Sequence, residues 1–165
     1  MPRGPSYSAM SYSFGPGPMS LAVKYLIIAN VAMFFVRLVF PPVVDYLGLS
    51  PDQVVQQFSV WQLVTYLFVH QDIMHVLLNM LGLWMFGTDL ERTWGTRFFV
   101  KYYFVTGIGA AFTVMAAAIL PWLTGGNLVH VTTIGASGAI YGILIAYALY
   151  FPDRPIFVYA IFPIK

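Results

Sequence analysis

Four apolar segments, at residues 21–40, 73–88, 98–120 and 137–151, account for much of this 165-residue sequence. Only 8% of the residues are Asp, Glu, Lys or Arg, against about 25% in a soluble domain. Inside a bilayer the backbone N–H and C=O groups find no water, so such segments must satisfy them internally as helices. The sequence therefore predicts an all-α integral membrane protein, a helical bundle with about four transmembrane helices.

The two ends of the sequence differ from the segments between them. Residues 1–20 are rich in Pro, Gly, Ser and Tyr, which predicts a disordered tail that a protein partner would have to order. Residues 156–165 are apolar but too few to cross a bilayer, so they predict the start of a fifth helix. The expected organisation is the tail, followed by a membrane domain over residues 21–165 that is incomplete at its C-terminal end.

Local signals mark where two of the helices begin. Ser50-Pro51-Asp52 is a helix-start signal in the long connection after the first span, and a short amphipathic helix is expected there. Asp72 is the expected N-cap of the second span. A charged turn over residues 89–97 is expected to end that span, and Pro121 is expected to end the third.

Lys and Arg are unevenly distributed between the two sides of the bundle. The N-terminal side holds Arg3 and Lys24, and the turn after the second span holds Arg92 and Arg97, whereas the other two connections hold none. Because basic residues favour the cytoplasmic side, the N-terminus is expected in the cytoplasm, with a bacterial inner membrane as the expected location. The net charge of +2 is too small to indicate nucleic acid as a partner.

Three polar side chains are expected at similar depth in the bilayer. Ser137 opens a segment that rises only about 22 Å, which puts it roughly 8 Å below the surface of a core about 30 Å thick. His75 and Asn79 are four residues apart, so they share one face of the second helix. Polar groups at such depth tend to face the bundle interior or a wet cavity.

Two interpretations of these residues are open. In the first, Ser137 is a nucleophile at a helix N-terminus, its N–H with His75 and Asn79 stabilises an oxyanion, and Gly135 and Gly138 allow a tight turn. In the second, the small residues form a helix-packing face, and the histidine and the asparagine make hydrogen bonds between helices. The first interpretation predicts acyl transfer inside the membrane.

A metal site is not expected. The sequence contains no cysteine, which excludes thiolate ligands and disulfides. His70 and His75 have no carboxylate at ligand spacing, and no HExxH motif is present.

In their order and spacing, these motifs resemble the rhomboid family of intramembrane serine proteases. The matching motifs are Trp61-Gln62 (Trp-Arg in the family), His70-x4-His75-x3-Asn79, Gly87-x3-Glu91-x3-Gly95, Gly135-Ala136-Ser137-Gly138 and Tyr141. The resemblance implies Ser137 as nucleophile, His75 and Asn79 in the oxyanion hole, and Tyr141 beside the catalytic histidine. It also implies no metal or organic cofactor, and single-span membrane proteins as substrates in the lipid bilayer.

The family's general base is a histidine on its sixth helix, and no histidine follows Ser137 in this sequence. His130 could reach the serine only if its loop folded back. The 165 residues alone are therefore not expected to be active. Two hypotheses follow: an endopeptidase represented by its first four spans, or a non-catalytic rhomboid-like subunit whose partners are neighbouring subunits of a larger membrane complex.

Overall fold

A computed structural model describes residues 15–126, 131–152, 156–158 and 162–164, so His130 and most of the tail lie outside the described residues. Three helical segments are long and apolar enough to cross a membrane: Leu21–Val39, Ile73–Trp94 and Thr96–Leu123. A shorter apolar helix begins at Ser137. These elements confirm the prediction of a helical membrane bundle.

The described part of the chain contains eight α-helices and two short strands. The helices are α1 (Leu21–Val39), α2 (Val43–Leu47), α3 (Pro51–Gln57), α4 (Gln62–Thr65), α5 (Ile73–Gly82), α6 (Thr88–Trp94), α7 (Thr96–Leu123) and α8 (Ser137–Tyr150). A 3₁₀ turn over Tyr66–Phe68 follows α4, and a π-helical turn over Leu83–Gly87 joins α5 to α6. The strands are β1 (Ile156–Val158) and β2 (Phe162–Ile164).

The second span begins as predicted but continues further. The Asp72 carboxylate accepts a hydrogen bond from the His75 amide at 2.8 Å, which confirms the N-cap. The expected charged turn after residue 88 was wrong, because α6 remains helical and ends at Gly95, whose φ is +81°. Tertiary contacts explain this extension. The buried Glu91 carboxylate accepts from the first amides of α1, those of Ala22 (2.9 Å) and Val23 (3.0 Å).

Pro121 does not end the third span, contrary to the prediction. It lies inside the last turn of α7, where a missing N–H costs one hydrogen bond but does not stop the helix. The amides of Thr124 and Gly126 then bond to the carbonyl of Pro121, at 3.2 and 2.9 Å, and terminate the helix one turn later.

The last described residues differ from the expected start of a fifth helix. β1 and β2 pair antiparallel, with Phe157 opposite Pro163. A proline at position 163 would break a helix running through residues 156–165, whereas an edge strand accommodates it. Local proline chemistry therefore overrides the apolar composition that suggested a helix.

The described end of the tail lies against this chain itself. The Arg92 guanidinium donates to the carbonyls of Pro16 (2.6 Å) and Pro18 (2.5 Å), and the Trp84 indole donates to Gly17 (3.1 Å). This part of the tail therefore has an ordering contact within the chain, and the idea that a partner orders the tail receives no support from it.

Helices α7 and α8 approach each other closely through small residues. A Cβ added at Gly138 would lie 2.6 Å from the Ala110 Cβ, and one added at Gly142 would lie 2.6 Å from the Thr106 Cβ. Glycine is therefore required on this face of α8 for the two backbones to meet. The packing interpretation holds for this face, while Ser137 and Tyr141 lie exposed on another.

Candidate active site

A cavity of about 320 Å³ lies between α5 and α8 and collects most of the polar residues singled out in the sequence. Its lining consists of His75, Leu78, Asn79, Ser137, Ile140, Tyr141 and Leu144. The serine and the His/Asn pair come from segments about sixty residues apart in the chain. Their shared cavity is therefore a product of helix packing.

Ser137 is the first residue of α8, and its side chain is exposed toward the cavity. The preceding Ala136 is fully buried and accepts the first helical hydrogen bond, from Ile140 at 3.0 Å. The first amides of a helix have no carbonyl partner within it, so the Ser137 N–H is available to an anionic group in this cavity. The serine thus combines an accessible hydroxyl with a neighbouring backbone donor.

Gly135 brings the chain against the His75 imidazole. Its φ is +109°, and its N–H donates to the Tyr66 carbonyl at 2.9 Å. A Cβ at this position would lie 2.5 Å from the His75 Nε2 and 2.8 Å from its Cε1. Only glycine therefore allows both the backbone turn and the close approach of the imidazole.

The surrounding hydrogen bonds favour one tautomer of His75. The Gln71 N–H donates to the His75 Nδ1 at 3.4 Å, which makes Nδ1 the acceptor and leaves the proton of the neutral ring on Nε2. That Nε2–H is the group beside Gly135. Asn79 donates one amide hydrogen to the His75 carbonyl at 2.8 Å, so its second amide hydrogen remains available at the cavity.

His70 forms a buried wall behind His75. Its ring is fully buried and contacts the His75 ring edge-on, with 4.9 Å between centroids. Burial, with a smaller contribution from the charge of His75, lowers the pKa of His70 to about 4. His70 is therefore neutral at physiological pH and adds no charge next to the cavity.

Tyr66 supports the site, although no motif in the sequence singles it out. Its side chain is almost fully buried. Its hydroxyl donates to the Gly107 carbonyl at 2.7 Å while its own carbonyl holds the Gly135 amide. Leu49 and Thr133 form a reciprocal pair of backbone hydrogen bonds, both 2.9 Å, which holds the segment that leads to the serine. No local pattern signals these contacts.

Gln62, where the resemblance led us to expect arginine, is fully buried and well bonded. Its carbonyl oxygen accepts from the Ser50 amide at 3.0 Å, and its amide donates to the Gln53 Oε1 at 2.7 Å. A neutral amide therefore holds this connection together without a buried charge.

The described residues provide no separate general base beside Ser137. The two histidines among them are His70, which is buried behind the site, and His75, whose Nδ1 is an acceptor and whose Nε2 faces Gly135. Tyr141 lies on the same exposed face as the serine, 69% exposed. The part of the chain that the structure describes also contains no group of three His, Cys, Asp or Glu residues that could hold a metal.

Comparisons with known proteins identify the family to which the chain belongs. A family model described as Rhomboid domain matches residues 57–164. Rhomboid protein 1, mitochondrial, of Saccharomyces cerevisiae is 31% identical over 120 residues, which are 72% of this chain and 32% of that protein. Rhomboid protease AarA of Providencia stuartii is 28% identical over 152 residues, 83% of this chain and 53% of that protein. The chain thus spans about a third to a half of these relatives.

Proposed function

The chain belongs to the rhomboid family, and on that premise we propose that it forms the serine-bearing part of an intramembrane serine endopeptidase. The observation that carries the proposal is the single cavity lined by Ser137, His75 and Asn79. Two of the relatives are named as rhomboid proteases, from Bacillus subtilis and Providencia stuartii. The proposed substrate is a membrane protein whose peptide bond enters the cavity within the bilayer.

In the proposed reaction the Ser137 Oγ attacks the carbonyl carbon of the scissile peptide, and its proton passes to a general base. The developing oxyanion accepts from the Ser137 N–H, the His75 Nε2–H and the free amide hydrogen of Asn79. The C–N bond then breaks, and the base returns the proton to the amine that leaves. Water later hydrolyses the acyl-enzyme and regenerates the serine.

The base itself comes from outside these 165 residues in this proposal. The exposed face of α8 formed by Ser137, Tyr141 and Ile145 is the surface on which it would have to lie. The membrane domain would extend over residues 21–165 with the N-terminus in the cytoplasm, as the Lys and Arg distribution indicates. A bacterial inner membrane remains the proposed location.

A non-catalytic rhomboid-like subunit is the second candidate, favoured by the lack of a further histidine beside the serine in the described residues. A fluorophosphonate probe separates the two, applied both to this chain and to the product of its full reading frame. An endopeptidase predicts labelling of the full product at Ser137 that disappears in Ser137→Ala. Absence of labelling in a folded full product would contradict the enzymatic proposal.

A further inference from the structure

A second cavity, of about 290 Å³, lies in the connection between α1 and α5. Its lining consists of Asp45, Tyr46, Gln53, Gln57, Ser59 and Trp61. It is separate from the serine cavity, with which it shares no lining residue. The same connection is hydrogen-bonded to the segment before α8 through Leu49 and Thr133.

Hydrogen bonds within the connection hold the walls of this cavity in place. The Trp61 indole donates to the Tyr46 carbonyl at 2.9 Å, which fixes the two aromatic residues relative to each other. The buried Gln62 amide donates to Gln53 at 2.7 Å on the adjacent wall. The cavity is therefore preformed, which reduces the entropy lost when a ligand binds.

The electrostatics of the cavity favour a cation. Asp45 is the one charged residue in its lining, and its carboxylate has no ion pair among the described residues. The sequence contains no Lys or Arg between Arg37 and Arg92, so the whole connection lacks both of these cationic residues. Tyr46 and Trp61, 70% and 44% exposed, add aromatic faces that attract an organic cation.

Exposed apolar side chains beside the cavity indicate its position in the membrane. Phe58, in a left-handed backbone conformation with φ +55°, is 77% exposed, and Val60 is 58% exposed. Their neighbour Trp61 is an aromatic residue of the kind that settles at the headgroup level of a bilayer. Inserting these side chains at the bilayer surface would place the cavity among lipid headgroups.

We infer that this cavity binds the ammonium headgroup of a zwitterionic phospholipid. The Asp45 carboxylate pairs with the ammonium, and Tyr46 and Trp61 contact its methylene or methyl groups. The Gln57 amide and the Ser59 hydroxyl supply neutral donors for the phosphate. A headgroup without an ammonium cannot pair with Asp45. Such a headgroup would lie next to the Asp45 carboxylate, and no Lys or Arg in the connection balances that negative charge.

Native mass spectrometry of the detergent-purified protein tests this inference. The protein is titrated with phosphatidylethanolamine, phosphatidylcholine and phosphatidylglycerol that carry the same acyl chains. The two ammonium lipids are expected to bind about two- to fivefold more tightly than the glycerol lipid, the range for a partly exposed ion pair. The readout is independent of catalysis, so the result does not depend on the proposed protease activity.

Asp45→Asn tests the role of the carboxylate, because it removes the charge and retains the backbone carbonyl near Gln62. This variant is expected to bind all three lipids alike. Asp52→Asn makes the same change outside the cavity and is expected to keep the preference for the two ammonium lipids. Equal binding of the glycerol lipid by the unmodified protein would overturn the inference. A preference that survives Asp45→Asn would overturn it as well.

Discussion

Replacing Gly135 by alanine tests the central contact of the candidate active site. The new Cβ would lie 2.5 Å from the His75 Nε2, while an ordinary contact begins at 3.4 Å. The imidazole must therefore move by about 0.9 Å, or the backbone must shift by a comparable distance. A displacement of about 1 Å at a catalytic group can cost about 10²-fold in rate.

The substitution also strains the backbone. At φ +109° an L-residue is disfavoured by about 1–3 kcal/mol, so Gly135→Ala should lower the free energy of unfolding by at least that amount. Gly95→Ala is the matched control for strain, because Gly95 has φ +81° and nothing within 4 Å of an added Cβ. Gly109→Ala controls for the methyl group alone, since Gly109 lies in α7 with open space around it.

Three measurements distinguish these variants. Thermal unfolding in detergent should show lower stability for Gly135→Ala and Gly95→Ala, and unchanged stability for Gly109→Ala. The ¹⁵N resonance of the His75 Nε2 should shift only in Gly135→Ala. In the product of the full reading frame, the reactivity of Ser137 toward a fluorophosphonate should fall about 10²-fold only in Gly135→Ala.

A His75 resonance that stays in place in Gly135→Ala would refute the close approach of the two residues. If the reactivity of Ser137 fell equally in Gly95→Ala, the loss would reflect general destabilisation, and the argument from the contact would fail.

Three other perturbations have expected outcomes. The double variant His75→Ala/Asn79→Ala should lower turnover of the full product by about 10² or more with thermal stability retained; an unchanged rate would argue against the oxyanion assignment. Glu91→Ala leaves two amides of α1 and the Thr96 hydroxyl without an acceptor. Chemical denaturation should therefore show a free energy of unfolding lower by about 3 kcal/mol, against about 1 kcal/mol for Thr96→Val. The pKa of His70 is about 4 in the folded state and 6.5 in the unfolded chain. The stability that the neutral His70 contributes is therefore intact above about pH 6.5 and is lost as the pH falls toward 4. The free energy of unfolding should therefore fall by about 2 kcal/mol between pH 7 and pH 5. A His70→Gln variant whose free energy of unfolding fell by the same amount over this pH range would contradict this.

Features that depend on neighbours along the chain were predictable from the sequence. The Asp72 cap requires only a carboxylate three residues before the His75 amide, and the structure has that bond. Asn79 shares a face with His75 because helical geometry places residues four apart together.

Features that depend on distant segments were not predictable in this way. The extension of the second span to Trp94 requires Glu91 to meet the start of α1, about seventy residues earlier. No motif marks Tyr66 in the sequence, and only its hydrogen bonds with Gly107 and Gly135 reveal it as an internal support.

The sequence by itself determined that the chain crosses the membrane as helices, and that a serine between small residues starts one of them. It did so because a bilayer forces each segment to satisfy its own backbone hydrogen bonds, which is a local requirement. Tertiary structure decided that this serine shares a cavity with His75 and Asn79. That meeting depends on the close packing of α7 and α8 and on the hydrogen bond from Gly135 to Tyr66, which join segments far apart in the chain.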